Sequence, residues 1–76
     1  MQAEAIVRTM LDESDLSTIQ AAAKMGKSKG YFGQYLTRNS VPGLVVLTNI
    51  ADTLGFDVII RKRSDGTEFV IDPPTE

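Results

Sequence analysis

Four cations, Lys24, Lys27, Lys29 and Arg38, fall within a stretch from residue 16 to residue 51 that contains no Asp or Glu. The acidic residues all lie outside it: Glu4, Asp12, Glu13 and Asp15 before, then Asp52, Asp57, Asp65, Glu68, Asp72 and Glu76 after. The formal net charge is −2, yet a polyanion responds to the local field at a docking face rather than to the whole-chain sum. Electrostatic capture of a polyanion is the chemistry this distribution suits; a solvated basic face without a partner is the alternative. Bond-making chemistry is poorly supplied. The chain has no cysteine and no histidine, which removes disulfides, the commonest nucleophile–base pairs and nearly all transition-metal sites. The carboxylates scatter without a paired arrangement, so no catalytic residue, cofactor or metal ligand is expected, and the chain does not read as an enzyme.

The element that must hold those cations is residues 16–38, LSTIQAAAKMGKSKGYFGQYLTR. Ser17 followed by Gln20 is a capping-box start, and Ala21, Ala22 and Met25 repeat at helical spacing behind it. The run stops at Gly26, which can take the left-handed conformation that ends a helix. Ser28 is then expected to cap a second helix over residues 28–38, with Phe32, Tyr35 and Leu36 as its buried stripe. Two helices this close need a small residue where they cross, and Ala22, four residues before Gly26, supplies it.

That alanine–glycine spacing, with Met25, Phe32 and Tyr35 around it, resembles the helix-turn-helix of the lambda-repressor/Cro (Xre-like) family. The resemblance covers residues 16–55, roughly half the chain. It departs from the family pattern at Lys27, where an apolar residue usually follows the turn glycine. One anchor under the turn is lost, and a cation is gained on the side where a phosphate would lie. The resemblance implies a mainly α protein: a four-helix lambda-repressor-like helix-turn-helix domain followed by a C-terminal β-hairpin. It also implies double-stranded DNA as partner, with the second motif helix in the major groove.

Carried over by position, Lys29, Gly30, Gly33 and Gln34 would face base edges. Gln34 can pair two-pronged with adenine, and Lys29 can donate to guanine. The two glycines present no side chain, which allows close backbone approach or simply reflects a tolerated weakness in the helix. Tyr31 is a further possible DNA contact, with partial burial as its alternative. Thr18, Lys27, Ser28, Thr37, Arg38 and Asn39 would contact phosphates, Ser28 from the helix N-terminus, where N–H groups favour anions.

Around this motif the sequence predicts a first amphipathic helix over residues 3–11, with Ile6, Val7, Met10 and Leu11 on one face. A polar loop over residues 12–15 is expected to follow, because acidic charge near a helix C-terminus is unfavourable. Pro42 breaks the chain before a fourth helix, in which Leu47, Ile50, Ala51 and Leu54 form the stripe and Gly55 the stop. Val45 and Val46 lie partly off that stripe. The period then becomes alternating. Two strands flank Asp65-Gly66, a hairpin turn signal, and a two-residue turn there would set Arg63 opposite Glu68. Val58, Ile60, Phe69 and Ile71 would share one face, which must cover helices of the same subunit or form a dimer interface, because a lone hairpin is marginal in water. Arg61, Lys62 and Arg63 read as a charged, aggregation-resistant edge.

The whole is one small domain: helical over residues 1–55, a hairpin over 56–72, and a frayed tail over 73–76. No run approaches membrane-spanning length and no signal-peptide pattern is present, so a cytoplasmic, nucleoid-associated protein without membrane contact is expected. The leading functional expectation is a small phage- or prophage-type repressor that regulates transcription by binding a two-fold operator as a homodimer. The alternative is an antitoxin that binds a toxin partner, or another protein antagonist, as well as its own promoter.

Overall fold

The structure is a computed structural model that describes residues 1–38 and 40–74. Asn39, assigned to phosphate on sequence grounds, and residues 75–76 of the expected tail lie outside the described residues. Four helices are followed by a two-stranded antiparallel hairpin. A short 3₁₀ turn, Ala3–Ala5, leads into α1, Ile6–Ser14; α2 is Thr18–Lys24, α3 Gly33–Leu36 and α4 Leu44–Leu54. The strands are β1, Val58–Arg61, and β2, Glu68–Ile71.

Helix α1 runs past Leu11, so Asp12 and Glu13 are helical rather than part of a loop. The unfavourable carboxylate–dipole contact is weak at an exposed helix end, whereas Met10 and Leu11 are buried and hold the last turns in place. The Ser14 hydroxyl donates to the Leu11 carbonyl at 2.8 Å. Asp15 ends the helix with φ 59°, a conformation that Asp tolerates better than most residues.

The capping box at the start of α2 is formed: the Gln20 N–H donates to Ser17 Oγ at 3.1 Å, and the Ser17 N–H donates to Gln20 Oε1 at 3.0 Å. Gly26 has φ 70°. Beside it the Lys27 N–H bonds the Ala22 carbonyl and the Gly26 N–H bonds the Ala23 carbonyl, the paired closure of a Schellman stop. Helix α4 ends in the same way. Gly55 has φ 88°, the Phe56 N–H bonds the Ala51 carbonyl at 2.8 Å, and the Gly55 N–H bonds the Asp52 carbonyl at 3.3 Å.

These stops aim the helices at one core: Val7, Met10 and Leu11 from α1, Ala21 and Ala22 from α2, Phe32 and Tyr35, and Ile50, Ala51 and Leu54 from α4. Phe32, Ile50 and Val7 are the largest side chains wholly inside. Ala21 and Ala22 have no exposed surface, consistent with close helix packing at that point. Thr48 is also buried, and its hydroxyl donates to the Leu44 carbonyl at 2.6 Å. Val45 and Val46 are exposed on α4.

The hairpin differs from expectation in its turn. Arg61, not Arg63, stands opposite Glu68, and the register continues Ile60↔Phe69, Ile59↔Val70, Val58↔Ile71. Residues 63–66 form a four-residue loop, closed by the Gly66 N–H on the Lys62 carbonyl at 2.9 Å and the Lys62 N–H on the Thr67 carbonyl at 2.8 Å. Asp65 explains why a two-residue turn is not used. Its carboxylate accepts from the Thr67 N–H at 3.0 Å and from the Thr67 hydroxyl at 2.7 Å, so local side-chain bonds organise the wider loop. Gly66 alone takes a positive φ there, 79°, where a type I′ turn needs two.

Only the foot of the hairpin, Val58 and Ile71, is half-buried. Val58, with Ile6, Met10, Leu47, Ala51 and Phe56, also lines an apolar groove of about 260 Å³ between α1, α4 and the start of β1. Among the described residues, no helix is long and apolar enough to cross a membrane.

Candidate nucleic-acid interface

The segment that joins α2 to α4 carries most of the residues singled out in the sequence, and its backbone is less regular than expected. Residues 29–32 are turns rather than helix: the Tyr31 N–H bonds the Ser28 carbonyl and the Gly33 N–H bonds the Gly30 carbonyl, both at 3.0 Å. These are i to i+3 bonds. Helix α3 is therefore one turn long, and Ser28 is not at its N-terminus; Phe32 precedes it, with no side-chain cap. Gly30 and Gly33 account for the difference, since each costs up to ~1 kcal/mol in helix relative to alanine. Nothing lies within 4 Å of where a Cβ would stand at either, so packing inside this protomer does not require glycine there.

An aromatic cluster anchors the segment. The Tyr31 ring meets Phe32 edge-on at 5.2 Å and Tyr35 edge-on at 5.9 Å between centroids. Tyr31 is half-buried, and burial, followed by the neighbouring Tyr35 hydroxyl, pushes its own hydroxyl up to about 12. At neutral pH it is a hydrogen-bond donor, not an anion. Lys27 Nζ stands 5.7 Å from the Tyr31 ring centroid. The exposed Lys27 cation thus rests over an aromatic face rather than in the core.

Lys27, Ser28, Lys29, Gly30, Gln34, Thr37 and Arg38 are exposed, and Gly33 is half-buried. Two of these side chains are already engaged. Gln34 Nε2 donates to the Tyr31 carbonyl at 3.1 Å, so two-pronged pairing with a base would require that bond to be released. The Thr37 hydroxyl donates to the Gly33 carbonyl at 2.6 Å. A hydroxyl has a single hydrogen, and giving it to a phosphate oxygen requires rotation. Thr18 stands apart, half-buried in the first turn of α2, about 10 Å of helix from the Gly26 turn.

Among the described residues the sole ion pair joins Lys62 to Asp65 at 3.8 Å, on the hairpin loop, and Lys24, Lys27, Lys29 and Arg38 have no acidic partner within 4 Å. The fold does bring one acidic side chain toward the segment, which the sequence gap conceals. Glu4 and Arg8 line a hollow of about 270 Å³ with Tyr35 and Leu36, so the negative charge arrives with a positive one. The spacing of Ile6, Val7, Met10 and Leu11 turns residues 4 and 8 away from that stripe, Glu4 in the 3₁₀ turn and Arg8 on α1. No local signal said that this face borders Leu36.

Val58, Ile60, Phe69 and Ile71 share one hairpin face, as the alternation predicts, but Ile60 and Phe69 project beyond the helices. No protein-family model, curated protein or solved structure matches the chain.

Proposed function

We propose that this chain is a small sequence-specific DNA-binding regulator of the lambda-repressor/Cro-like, helix-turn-helix type. It would act as a homodimer on a two-fold operator and control transcription by occluding a promoter. The observation that carries this reading is the set of exposed residues Lys27, Ser28, Lys29, Gly30, Gln34, Thr37 and Arg38, whose cations have no acidic partner among the described residues and which follow directly on the Ala22–Gly26 stop. Lys29 and Gln34, with the bare backbone at Gly30 and Gly33, read the base edges; Lys27, Ser28, Thr37 and Arg38, with Thr18, hold phosphates, and Tyr31 supplies a neutral donor beside them. Half-sites about one helical turn apart, ~34 Å, let two such segments enter successive major grooves.

Selection of bound duplexes from a random pool tests this, followed by an NMR titration of the selected site in dilute buffer. The expected result is an enriched, approximately two-fold sequence, with the backbone amides of residues 27–38 shifting most. Amides in that segment that stay in place overturn the reading.

A further inference from the structure

We propose that Gln34 is a latch: in the free chain its amide holds residues 29–32 in tight turns, and its transfer to an adenine lets them wind onto α3 as a further helical turn. The inference rests on the DNA-binding reading above. It goes beyond that reading by making recognition of the base and completion of the helix one event, so that specific and non-specific complexes differ in backbone.

The backbone bonds change kind at this point. The N–H groups of Tyr31, Gly33 and Tyr35 reach back three residues, to Ser28, Gly30 and Phe32, each at 3.0 Å. Those of Leu36 and Thr37 reach back four, to Phe32 at 3.1 Å and to Gly33 at 2.9 Å. The Phe32 carbonyl therefore takes two N–H groups. The Tyr31 carbonyl, which an α-helix would give to the Tyr35 N–H, takes the Gln34 side chain instead, with Nε2 donating at 3.1 Å. That bond is exposed, so it is weak enough to be given up for a two-pronged pair with a base. Once it is released, the Tyr35 N–H can move from Phe32 to Tyr31, and the α-helical ladder continues toward Lys29.

The surroundings permit the change. Phe32 and Tyr35 are buried and anchor α3 to the core, whereas Ser28, Lys29 and Gly30, the residues that would move, are exposed. Gly30 and Gly33 have no positive φ and no atom within 4 Å of a Cβ, so a helix is sterically open to both; what they withhold is propensity. Their combined penalty is of the same order as the discrimination that one two-pronged base contact supplies, which sets the free segment close to the balance point. A ligand shifts such an equilibrium only through contacts that differ between the two states. The Gln34 amide is occupied in one state and available to a base in the other. A duplex with a different base opposite Gln34 leaves the amide on Tyr31 and is held through its phosphates alone.

The test follows the Cα chemical shifts of residues 29–32 in the full chain: free, saturated with the selected duplex, and saturated with a random duplex in dilute buffer. The expected result is turn-like shifts in the free chain and on random DNA, and helical shifts on the selected duplex alone. Gln34→Ala should lower the preference for the selected duplex about 10- to 100-fold and abolish the difference in shifts between the two duplexes. Arg38→Ala, once saturated, should still show that difference. Gly30→Ala adds helix propensity and leaves Gln34 in place, so it should move the free chain's shifts toward helical values. Residues 29–32 that are already helical in the free chain, or that keep turn-like shifts on a duplex bound in preference, overturn the latch and leave the DNA-binding reading standing. A chain that enriches no sequence from the random pool overturns that reading and the latch with it, so the two failures are seen separately.

Discussion

The segment of residues 27–38 and the hairpin are the two parts of this molecule that its core does not satisfy, and they are incomplete in opposite ways. The first is irregular in backbone but polar at its surface; Lys27, Lys29 and Arg38 are exposed without acidic partners among the described residues. The second is regular in backbone, with a complete register, yet Ile59, Ile60, Phe69 and Val70 remain 44, 54, 59 and 54 % exposed. Water solvates a lysine well and an isoleucine badly. A charged surface can therefore wait for its partner, whereas an apolar arm needs lasting cover. In the functional reading the first region is the one that meets DNA.

Both regions depend on the same core, and breaking that core erases the contrast. Phe32→Ala should cost about 3–5 kcal/mol, a large part of the stability of a domain this small. A urea midpoint that barely moves would mean that Phe32 is not the anchor its complete burial suggests.

Smaller effects sharpen the comparison. Lys29→Ala and Gln34→Ala should each cost about 1–3 kcal/mol on the selected duplex and much less on random DNA. Arg38→Ala should weaken both duplexes alike and reduce the salt slope by about one. Titrations over a range of salt concentrations distinguish the two patterns, and equal losses across sequences would remove base reading from Lys29 and Gln34.

Gly30→Ala and Gly33→Ala meet no neighbour within 4 Å and no positive φ. Each should stabilise the free protein by about 0.4–1 kcal/mol by restricting the unfolded chain. If the backbone approaches the groove floor, affinity for DNA should fall while the melting temperature rises. Affinity that rises with it would show that close approach is not why glycine stands there.

The smallest effect belongs to the hairpin loop. The Thr67 N–H and hydroxyl hold the Asp65 carboxyl below the usual carboxylate range. A lowered folded-state value favours the folded loop above the ordinary carboxylate pKa, and that contribution is lost as pH falls through the lowered one. An NMR titration should show the Thr67 amide moving with Asp65, and Asp65→Asn should remove the pH response without changing the register.

Much of the helical body was legible in the chain because its signals act over a few residues. Ser17 and Gln20 make their box at three-residue spacing, and Gly26 and Gly55 close their helices with bonds reaching back five residues or fewer. The existence of two strands followed from alternation and the Asp65-Gly66 signal, and the common face of Val58, Ile60, Phe69 and Ile71 holds because the register moved by two residues, from Arg63 to Arg61 opposite Glu68, which leaves each side chain on its face. The length of the first helix did not, because burial of Met10 and Leu11 outweighed a local charge–dipole preference. The shortness of α3 has its local signal in Gly30 and Gly33, which compete with the helical stripe of Phe32, Tyr35 and Leu36.

The sequence by itself determined which side chains are available and where helices stop, since caps, left-handed glycines and missing cysteine or histidine are local or compositional facts. Only the tertiary structure decided that Arg61 rather than Arg63 faces Glu68, that Glu4 and Arg8 border Leu36, and that the hairpin projects from a groove between α1 and α4. Those outcomes depend on how distant segments share one small core, and no window of a few residues contains that competition.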